Sequence, residues 1–124
     1  MTKNKKFVAV VDDDESVRES VPELLRELGY ESEGFSSAAQ FLTSEQLMST
    51  DCLVLDIAMP EMSGPELHGE LIRRGHRIPV VFITAHGDQA IRERLREQGA
   101  IDCLAKPFSD TALMEMLKTA LAEM

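Results

Sequence analysis

Short apolar runs alternate along the chain with longer stretches in which apolar residues recur every three or four positions. The short runs are rich in β-branched residues, as strands are, and the longer stretches have the period of amphipathic helices. This alternation is typical of repeated βα units, which pack helices against a parallel sheet. We therefore predict strands at residues 7–11, 31–35, 52–55, 80–84 and 101–104, each followed by a helix.

The first helix is predicted from apolar residues at helical spacing and from Gly29, which supplies a C-terminal stop. Pro22 is an anomaly within it, because a proline far from a helix start removes one backbone hydrogen bond. We expect either a kink at Pro22 or a late helix start. The apolar positions are Val17, Val21, Leu24, Leu25 and Leu28.

Serines mark the starts of three later helices. Ser36 or Ser37 caps the second helix, Ser63 caps the third, which Gly64 enters, and Ser109 caps the last. The positions expected to face the core are Ala38, Phe41 and Leu42 in the second helix, Leu67, Leu71 and Ile72 in the third, and Leu113, Met116, Leu117, Ala120, Leu121 and Met124 in the last.

The fourth helix, from about residue 88 to residue 98, carries few apolar residues. We expect it to be thinly buried and able to move. Its apolar positions are Ala90, Ile91 and Leu95, and Arg92, Arg94 and Arg96 are expected to form a solvated face, with a partner interface as the alternative.

A length of 124 residues with 44% hydrophobic and 28% charged residues is that of one ordinary globular domain. No linker or low-complexity segment interrupts the sequence, so we expect a single module, 1–124, without an appended output domain. The net charge of -9 argues against direct binding to nucleic acid, which needs lysine and arginine to neutralise phosphates.

No segment has the length of a membrane span or the form of a signal peptide, so we expect no membrane association. The cysteines, Cys52 and Cys103, each lie within an apolar run, where a reduced thiol behaves as a small buried hydrophobe. These features predict a cytoplasmic protein without disulfides.

Polar side chains follow four of the predicted strands at their carboxyl ends, where open α/β sheets bind ligands. Carboxylates, a hydroxyl and an ammonium should therefore meet at one edge of the sheet. The groups are Asp12, Asp13 and Asp14 after the first strand, Asp56 after the third, Thr84 at the end of the fourth and Lys106, followed by Pro107, after the fifth.

Clustered carboxylates repel one another, by roughly 1 kcal/mol per pair in water and about 4 kcal/mol at an effective dielectric of 20, so they favour a bound cation. Oxygen ligands without nearby histidine or cysteine pairs suit magnesium better than zinc. Magnesium commonly binds one or two carboxylates plus a phosphate, which leaves a carboxylate able to attack phosphorus. Lys106 would add positive charge, and Thr84 a hydrogen bond to the new phosphoryl oxygens.

Each group also has an ordinary structural interpretation. The aspartates at 12 to 14 suit a helix cap, residues 56–60 suit a plain turn, and Lys106 with Pro107 suits a loop. The functional interpretation is favoured because chance would otherwise have to place all of these groups on one edge.

Four segments resemble the receiver domains of response regulators: VVDDD at 10–14, LDIAMPEMSG at 55–64, ITAHGD at 83–88 and KPF at 106–108. The second and third are similar to the FixJ-type subgroup. The resemblance covers nearly the whole chain, and it is specific because the four motifs occur in order on the correct strand ends. It implies an α/β, flavodoxin-like (CheY-like) fold, a doubly wound five-stranded parallel sheet in the order 2-1-3-4-5 with helices on both faces.

The same resemblance implies the roles of the site residues. Asp56 would accept the phosphoryl group, and Asp13 and Asp56 would bind Mg²⁺ directly. Asp12 would hold metal-bound water, and the backbone carbonyl of Ala58 would complete the coordination. Thr84 and Lys106 would contact the phosphoryl group, and the Lys106–Pro107 peptide bond would be cis.

The implied function is signalling in a two-component phosphorelay. A sensor histidine kinase would supply the phosphoryl group, and the domain would catalyse its own phosphorylation and slow dephosphorylation. Phosphorylation would shift a conformational equilibrium that controls a partner or output domain, and a homodimer on phosphorylation is a further expectation. The implied output surface is the fourth helix, the fifth strand and the fifth helix, including Ile91, Leu95, Leu113 and Met114.

One departure concerns Cys103, which stands where most receivers have tyrosine or phenylalanine. It casts doubt on switching by an aromatic side chain and suggests an alternative, a degenerate receiver that binds partners without phosphorylation. The retention of Asp56, Thr84 and Lys106 argues against that alternative. A magnesium-dependent phosphatase is a weaker alternative, because the second aspartate it needs is replaced by Ala58. We expect His68 and His76 at the surface and His86 in a solvated loop, with a role in proton transfer as the alternative for His86.

Overall fold

Five parallel strands form one sheet in the order β2-β1-β3-β4-β5. This order and the fold class are those predicted from the sequence. The computed structural model describes residues 5–85 and 89–122. The elements are β1 (Phe7–Val11), α1 (Glu15–Glu27), β2 (Glu31–Phe35), α2 (Ala38–Leu42), a 3-10 turn (Leu47–Ser49), β3 (Cys52–Asp56), α3 (Gly64–Arg73), β4 (Val80–Thr84), α4 (Gln89–Gln98), β5 (Asp102–Ala105) and α5 (Asp110–Ala122).

The sheet is covered on both faces, because successive strand residues point to opposite sides. Helices α2, α3 and α4 pack on one face and α1 and α5 on the other. Residues from β1, β3 and β4 are buried in both clusters, so these central strands contain almost no polar residue before their carboxyl ends. Each fully buried aliphatic side chain contributes about 1.5–3 kcal/mol to this packing.

Helix α1 begins at Glu15 and continues through Pro22, so the expectation of a late start is wrong. Asp14 caps the helix by accepting a hydrogen bond from the Ser16 backbone N–H at 2.9 Å. Proline has no N–H to donate to the Arg18 carbonyl, and Pro22 is one of the buried residues of the helix.

Helix α3 has the predicted cap: Ser63 and Glu66 form a reciprocal capping box. Two side chains of this helix differ from the sequence prediction. Ile72 is 50% exposed rather than in the core, and His68 is only 4% exposed rather than at the surface. The inner face of α3 therefore runs through Leu67, His68 and Leu71, which lie on one side of the helix at neighbouring turns.

The predicted output surface also changes in detail. Leu95 is the buried residue of α4 and Leu113 is fully buried in α5, so neither can contact a partner. Ile91 and Met114 are half-buried and remain available on that face. The expectation that α4 is thinly buried is confirmed, while Asp88, where we predicted its start, and His86 lie outside the described residues.

Two strands end one residue later than predicted. Asp56 is the last residue of β3, paired with Ile83, and β5 runs from Asp102 to Ala105, which pairs with Thr84. These extra pairings bring the polar residues at the carboxyl edge into the hydrogen-bonded sheet. Asp56 and Thr84 are therefore held by strand geometry, whereas Asp12, Asp13 and Lys106 follow directly after their strands.

Candidate functional site

Three carboxylates meet at the carboxyl edge of the sheet, on the neighbouring strands β1 and β3. Asp12 and Asp13 follow β1 directly, and Asp56 ends β3, where Val11 and Leu55 are partners in register. One carboxylate oxygen from each aspartate lies within 4.8 Å of those of the other two. Asp12 and Asp56 are buried, and Asp13 is exposed, so the cluster has one side open to solvent.

Lys106 faces this cluster from the loop after β5. Its Nζ lies 3.0 Å from Oδ2 of Asp12 and 3.9 Å from Oδ1 of Asp56. Its backbone N–H donates to the Thr84 carbonyl at 2.7 Å, which ties the loop to β4. The peptide bond to Pro107 is cis, as the resemblance implied. Burial alone would lower the pKa of Lys106, but its bond to Asp12 and the nearby carboxylate charges hold that pKa above its usual range.

Asp12 is fixed at every polar group. Its backbone N–H donates to the Phe35 carbonyl at 3.0 Å, and its Oδ1 accepts the Asp14 backbone N–H at 2.9 Å. Its Oδ2 accepts from Lys106, and its carbonyl accepts from Arg18 Nη1 at 3.1 Å. Because Asp12 is fully buried and has all of these partners, its carboxylate is held in one position in the site.

Asp14 belongs to the helix and not to the carboxylate cluster. Its Oδ1 accepts from both the N–H and the Oγ of Ser16, and these bonds hold its pKa below the usual value. The helix-cap interpretation is thus correct for Asp14. It does not apply to Asp12 and Asp13, which the structure brings together with Asp56.

Asp56 is 6% exposed and lies beside another buried carboxylate. Burial, followed by the charge of Asp12, raises the pKa of Asp56 to about 7, although Lys106 opposes the effect. A cation among these oxygens would favour the ionised form. The donor set contains only oxygen atoms from carboxylates, which fits a hard divalent ion such as Mg²⁺.

The start of α3 lies directly on the backbone of Asp56. The Gly64 N–H donates to the Ile57 carbonyl at 2.9 Å, and a Cβ at Gly64 would lie 2.1 Å from the Asp56 carbonyl oxygen. No side chain fits there. Sequence reasoning assigned Gly64 only to the helix entry, although a glycine inside a capping box, where a better helix former is usual, is a signal of close approach.

The other predicted site residues, Thr84 and Ala58, lie at or just beyond the carboxyl ends of β4 and β3. Thr84 is buried at the end of β4, next to the loop that carries Lys106. Ala58 is exposed in the loop after β3. Cys103 is 5% exposed in the core beneath α4, and Cys52 is fully buried, as expected for small apolar side chains.

The chain belongs to the response regulator receiver domain family, whose family model matches residues 8–118. It is 38% identical over 121 residues, 98% of this chain and 55% of the relative, to response regulator protein TmoT of Ectopseudomonas mendocina. The solved structure of response regulator StyR matches 96% of this chain and 60% of its own with 46% identity and a TM-score of 0.87. The crystal structure of FixJ-N matches 98% of both chains with 34% identity and a TM-score of 0.86.

The predicted similarity to FixJ-type receivers is confirmed by these matches. This chain is therefore a receiver domain of the two-component response regulators, a family that accepts phosphoryl groups from sensor kinases and binds Mg²⁺ in an acidic pocket. It spans about half the length of the curated relatives that it matches. Within residues 5–85 and 89–122, every helix falls short of what a bilayer crossing requires in length or apolar character.

Proposed function

We propose that Asp56 is the phosphoacceptor of this receiver and that Lys106 and Thr84 contact the transferred group. One observation carries the proposal: Asp56 lies within 4.8 Å of two other carboxylates, and an ammonium stands 3.9 Å from it. Phosphoryl transfer depends mainly on positioning and on neutralising charge, and this edge of the sheet provides both. We assign Asp56 as the nucleophile because the receiver motif at residues 55–64 implies that role, and because Asp12 is already paired with Lys106 at 3.0 Å.

The proposed magnesium ligands are the carboxylates of Asp13 and Asp56 and the carbonyl of Ala58, with Asp12 holding metal-bound water. When bound, the ion would neutralise the oxygens of the phosphoryl group. The open side at Asp13 gives the ion and the phosphodonor access. Asp12, which is fully buried and paired with Lys106, would orient water rather than exchange with solvent.

In the transfer step, an Asp56 carboxylate oxygen attacks phosphorus. The P–N bond of a kinase phosphohistidine breaks, a P–O bond forms, and the electron pair leaves with the imidazole, which is protonated. Lys106 balances the charge that develops on the phosphoryl oxygens. Thr84, at the end of β4, would donate a hydrogen bond to one of them and so connect the modified state to the following loop. Hydrolysis of the acyl phosphate by water reverses the modification.

The wider context is also proposed from the family. A cytoplasmic sensor histidine kinase would be the phosphodonor, and residues 1–124 would form the receiver of a longer regulator, because the related response regulators are about twice as long. The face of α4, β5 and α5 would contact the output domain or a second phosphorylated copy. Comparing the solution mass with and without a phosphoryl mimic tests dimerisation.

Mass spectrometry of the intact protein tests the assignment of Asp56. Incubation with Mg²⁺ and phosphoramidate should add one phosphoryl group, and Asp56→Asn should abolish the gain. The matched control is Asp110→Asn, which removes an exposed aspartate at the start of α5 and should leave the gain unchanged. A gain that persists in Asp56→Asn would disprove the assignment. No gain in the unaltered protein would instead support a partner-binding module that works without phosphorylation.

A further inference from the structure

We propose that Arg18 is a positioning residue for magnesium binding, an inference that rests on the metal site proposed above. Arg18 lies in the first turns of α1, and its Nη1 donates to the main-chain carbonyl of Asp12 at 3.1 Å. The side chain is half-buried and reaches back over the loop that joins β1 to α1. Arg18 is not placed to bind the metal itself, because a guanidinium has only donors.

The position of this bond explains how it acts on the site. The Asp12 carbonyl and the Asp13 N–H belong to one planar peptide unit, so fixing the carbonyl fixes the direction in which the chain leaves Asp12. Asp13 follows at once, is exposed and makes up the open side of the carboxylate cluster. Because β1 ends at Val11, the sheet no longer holds this peptide unit. Arg18 restrains it at the carbonyl, in addition to the bond from the Asp14 N–H to Oδ1 of Asp12 across the same turn.

Arg18 is itself held in place by close packing. A Cβ at Gly34 of β2 would lie 2.9 Å from the Arg18 carbonyl oxygen and 3.2 Å from its Cβ. The helix therefore rests directly on β2 at this residue. The Arg18 backbone N–H also donates to the Asp14 carbonyl at 3.1 Å. The Arg18 backbone is thus fixed relative to the sheet, and the guanidinium extends from this fixed position to the Asp12 carbonyl.

Charge and position predict opposite effects when Arg18 is replaced. If the guanidinium acts only as a nearby positive charge, neutralising it would strengthen the binding of Mg²⁺. If it positions the aspartate loop, replacing it would weaken binding, since supporting contacts behind metal ligands commonly change metal affinity 10- to 100-fold. We expect weaker binding, so the sign of the change distinguishes the two roles.

Isothermal titration calorimetry with MgCl₂ measures the affinity directly. Arg18→Gln should raise the Mg²⁺ dissociation constant about tenfold. Arg18→Lys, which keeps the charge but lacks the planar donor, should also raise it. The matched control is Arg26→Gln, because Arg26 lies on the same helix and also donates to a backbone carbonyl, that of Ser32. Ser32 lies near the start of β2, whereas the site lies at the carboxyl ends of the strands. Arg26→Gln should leave the dissociation constant unchanged.

Phosphorylation gives a second readout. With phosphoramidate, Arg18→Gln should need about tenfold more Mg²⁺ for half the maximal rate, and its rate at saturating Mg²⁺ should stay near that of the unaltered protein. Tighter or unchanged Mg²⁺ binding in Arg18→Gln, or equal weakening in Arg26→Gln, would overturn the role of Arg18. If the unaltered protein binds Mg²⁺ and is phosphorylated on Asp56, those outcomes leave the proposed function standing. Absence of Mg²⁺ binding in the unaltered protein would overturn both.

Discussion

His68 shows how one residue responds to its surroundings. Its ring packs edge-on against Phe82, with centroids 5.8 Å apart, and its Nδ1 lies 3.2 Å from Nε2 of Gln98. An amide NH₂ only donates, so Nδ1 accepts and the neutral ring carries its proton on Nε2. The same NH₂ donates to the Pro65 carbonyl at 3.0 Å, so His68 and Gln98 together join α3 to α4. Protonation of His68 would put an N–H on Nδ1 facing the Gln98 NH₂, so that two donors would meet and the hydrogen bond would be lost.

We predict that the protein loses stability in mild acid through His68. Burial lowers the pKa of His68 below its usual value of 6.5. The neutral form is therefore favoured on folding, and its contribution is fully present above about pH 6.5 and lost as the pH falls toward the folded pKa. Asp56, whose pKa is raised to about 7, contributes an opposite change over the same range. Between about pH 7.5 and about pH 5.5, urea unfolding should therefore show a less favourable change in stability for the unaltered protein than for His68→Gln, in which the Asp56 contribution is the same.

The comparison with His76→Gln separates this effect from general acid sensitivity. His76 is half-buried in the segment after α3, and its replacement should keep the pH dependence of the unaltered protein. A loss of stability that is the same in His68→Gln and the unaltered protein would assign the acid sensitivity to other groups.

At the scale of elements, the contact between α1 and β2 depends on Gly34. Because a Cβ there would lie 2.9 Å from a backbone oxygen, the helix must move if any side chain is added. We predict that Gly34→Ala lowers the free energy of unfolding by about 1–3 kcal/mol, as overpacking in tight interiors does. Urea titration measures the loss, and Gly69→Ala, at a helical glycine whose Cβ would meet nothing within 4 Å, should be neutral or stabilising. Equal effects would show that the α1 contact is not tight.

Two ion pairs join helix α4 to the edge strand β5, beside the packing of Leu95. Leu95 is its buried side chain, and Asp102 of β5 accepts from Arg92 and Arg96 as well as from the Cys103 backbone N–H. Burial alone would raise the pKa of Asp102, but these bonds hold it below the usual value. The arginines that sequence reasoning assigned to a solvated face are thus partly engaged within the molecule, while Arg94 remains exposed.

We predict that Asp102→Asn loosens α4 more than it destabilises the whole domain. Such half-exposed pairs contribute only about 0.5–1 kcal/mol, and salt weakens them. Amide hydrogen exchange in α4 should accelerate in Asp102→Asn and, in the unaltered protein, at high salt. The control Glu70→Gln removes pairs with Arg73 and Arg74 within α3 and should leave exchange in α4 unchanged. Unchanged α4 exchange in Asp102→Asn would contradict the prediction.

The sequence predicted the elements and the site where local pattern decides the outcome. Strand runs, serine caps and the convergence of Asp12, Asp56 and Lys106 follow from period, capping chemistry and the common edge of parallel strands. The predictions for Ile72 and His68 were wrong because hydrophobicity alone was used to assign the inner face of α3. In the structure, His68 lies on that face and its ring packs against Phe82. An apolar side chain near the end of a short helix can lie beyond the sheet that would cover it.

Contacts to backbone carbonyls could not be predicted in the same way. The bond from Arg18 to the Asp12 carbonyl cannot be predicted from the type of the accepting residue, since every residue has a backbone carbonyl. The pairing of Arg92 with Asp102 depends on how far α4 is rotated against β5, which no local period specifies. Such contacts are properties of the assembled elements, and only the folded structure reveals them.

On the scale of the whole molecule, the carboxylates at the carboxyl edge of the sheet lower the stability of the fold. The chain carries a net charge of -9, and its most buried carboxylates, Asp12 and Asp56, lie beside each other. Repulsion between two carboxylates about 4 Å apart costs roughly 1 kcal/mol even in water and more when they are desolvated. Lys106 offsets part of this cost. The fold is therefore expected to be more stable once one charge of the cluster is removed or balanced.

We predict that Asp56→Asn is more stable than the unaltered protein in Mg²⁺-free buffer, by about 1 kcal/mol at neutral pH or above. Mg²⁺ should reverse the order, because it stabilises only the form that binds it, by about 1.4 kcal/mol when its concentration is roughly ten times the dissociation constant. Urea unfolding with and without Mg²⁺ measures both effects. Asp110→Asn makes the same charge change outside the carboxylate cluster, so it should keep the full Mg²⁺ response and gain no stability. If Asp56→Asn is less stable without Mg²⁺, the buried carboxylates are already balanced by Lys106, and the site needs no cation for stability.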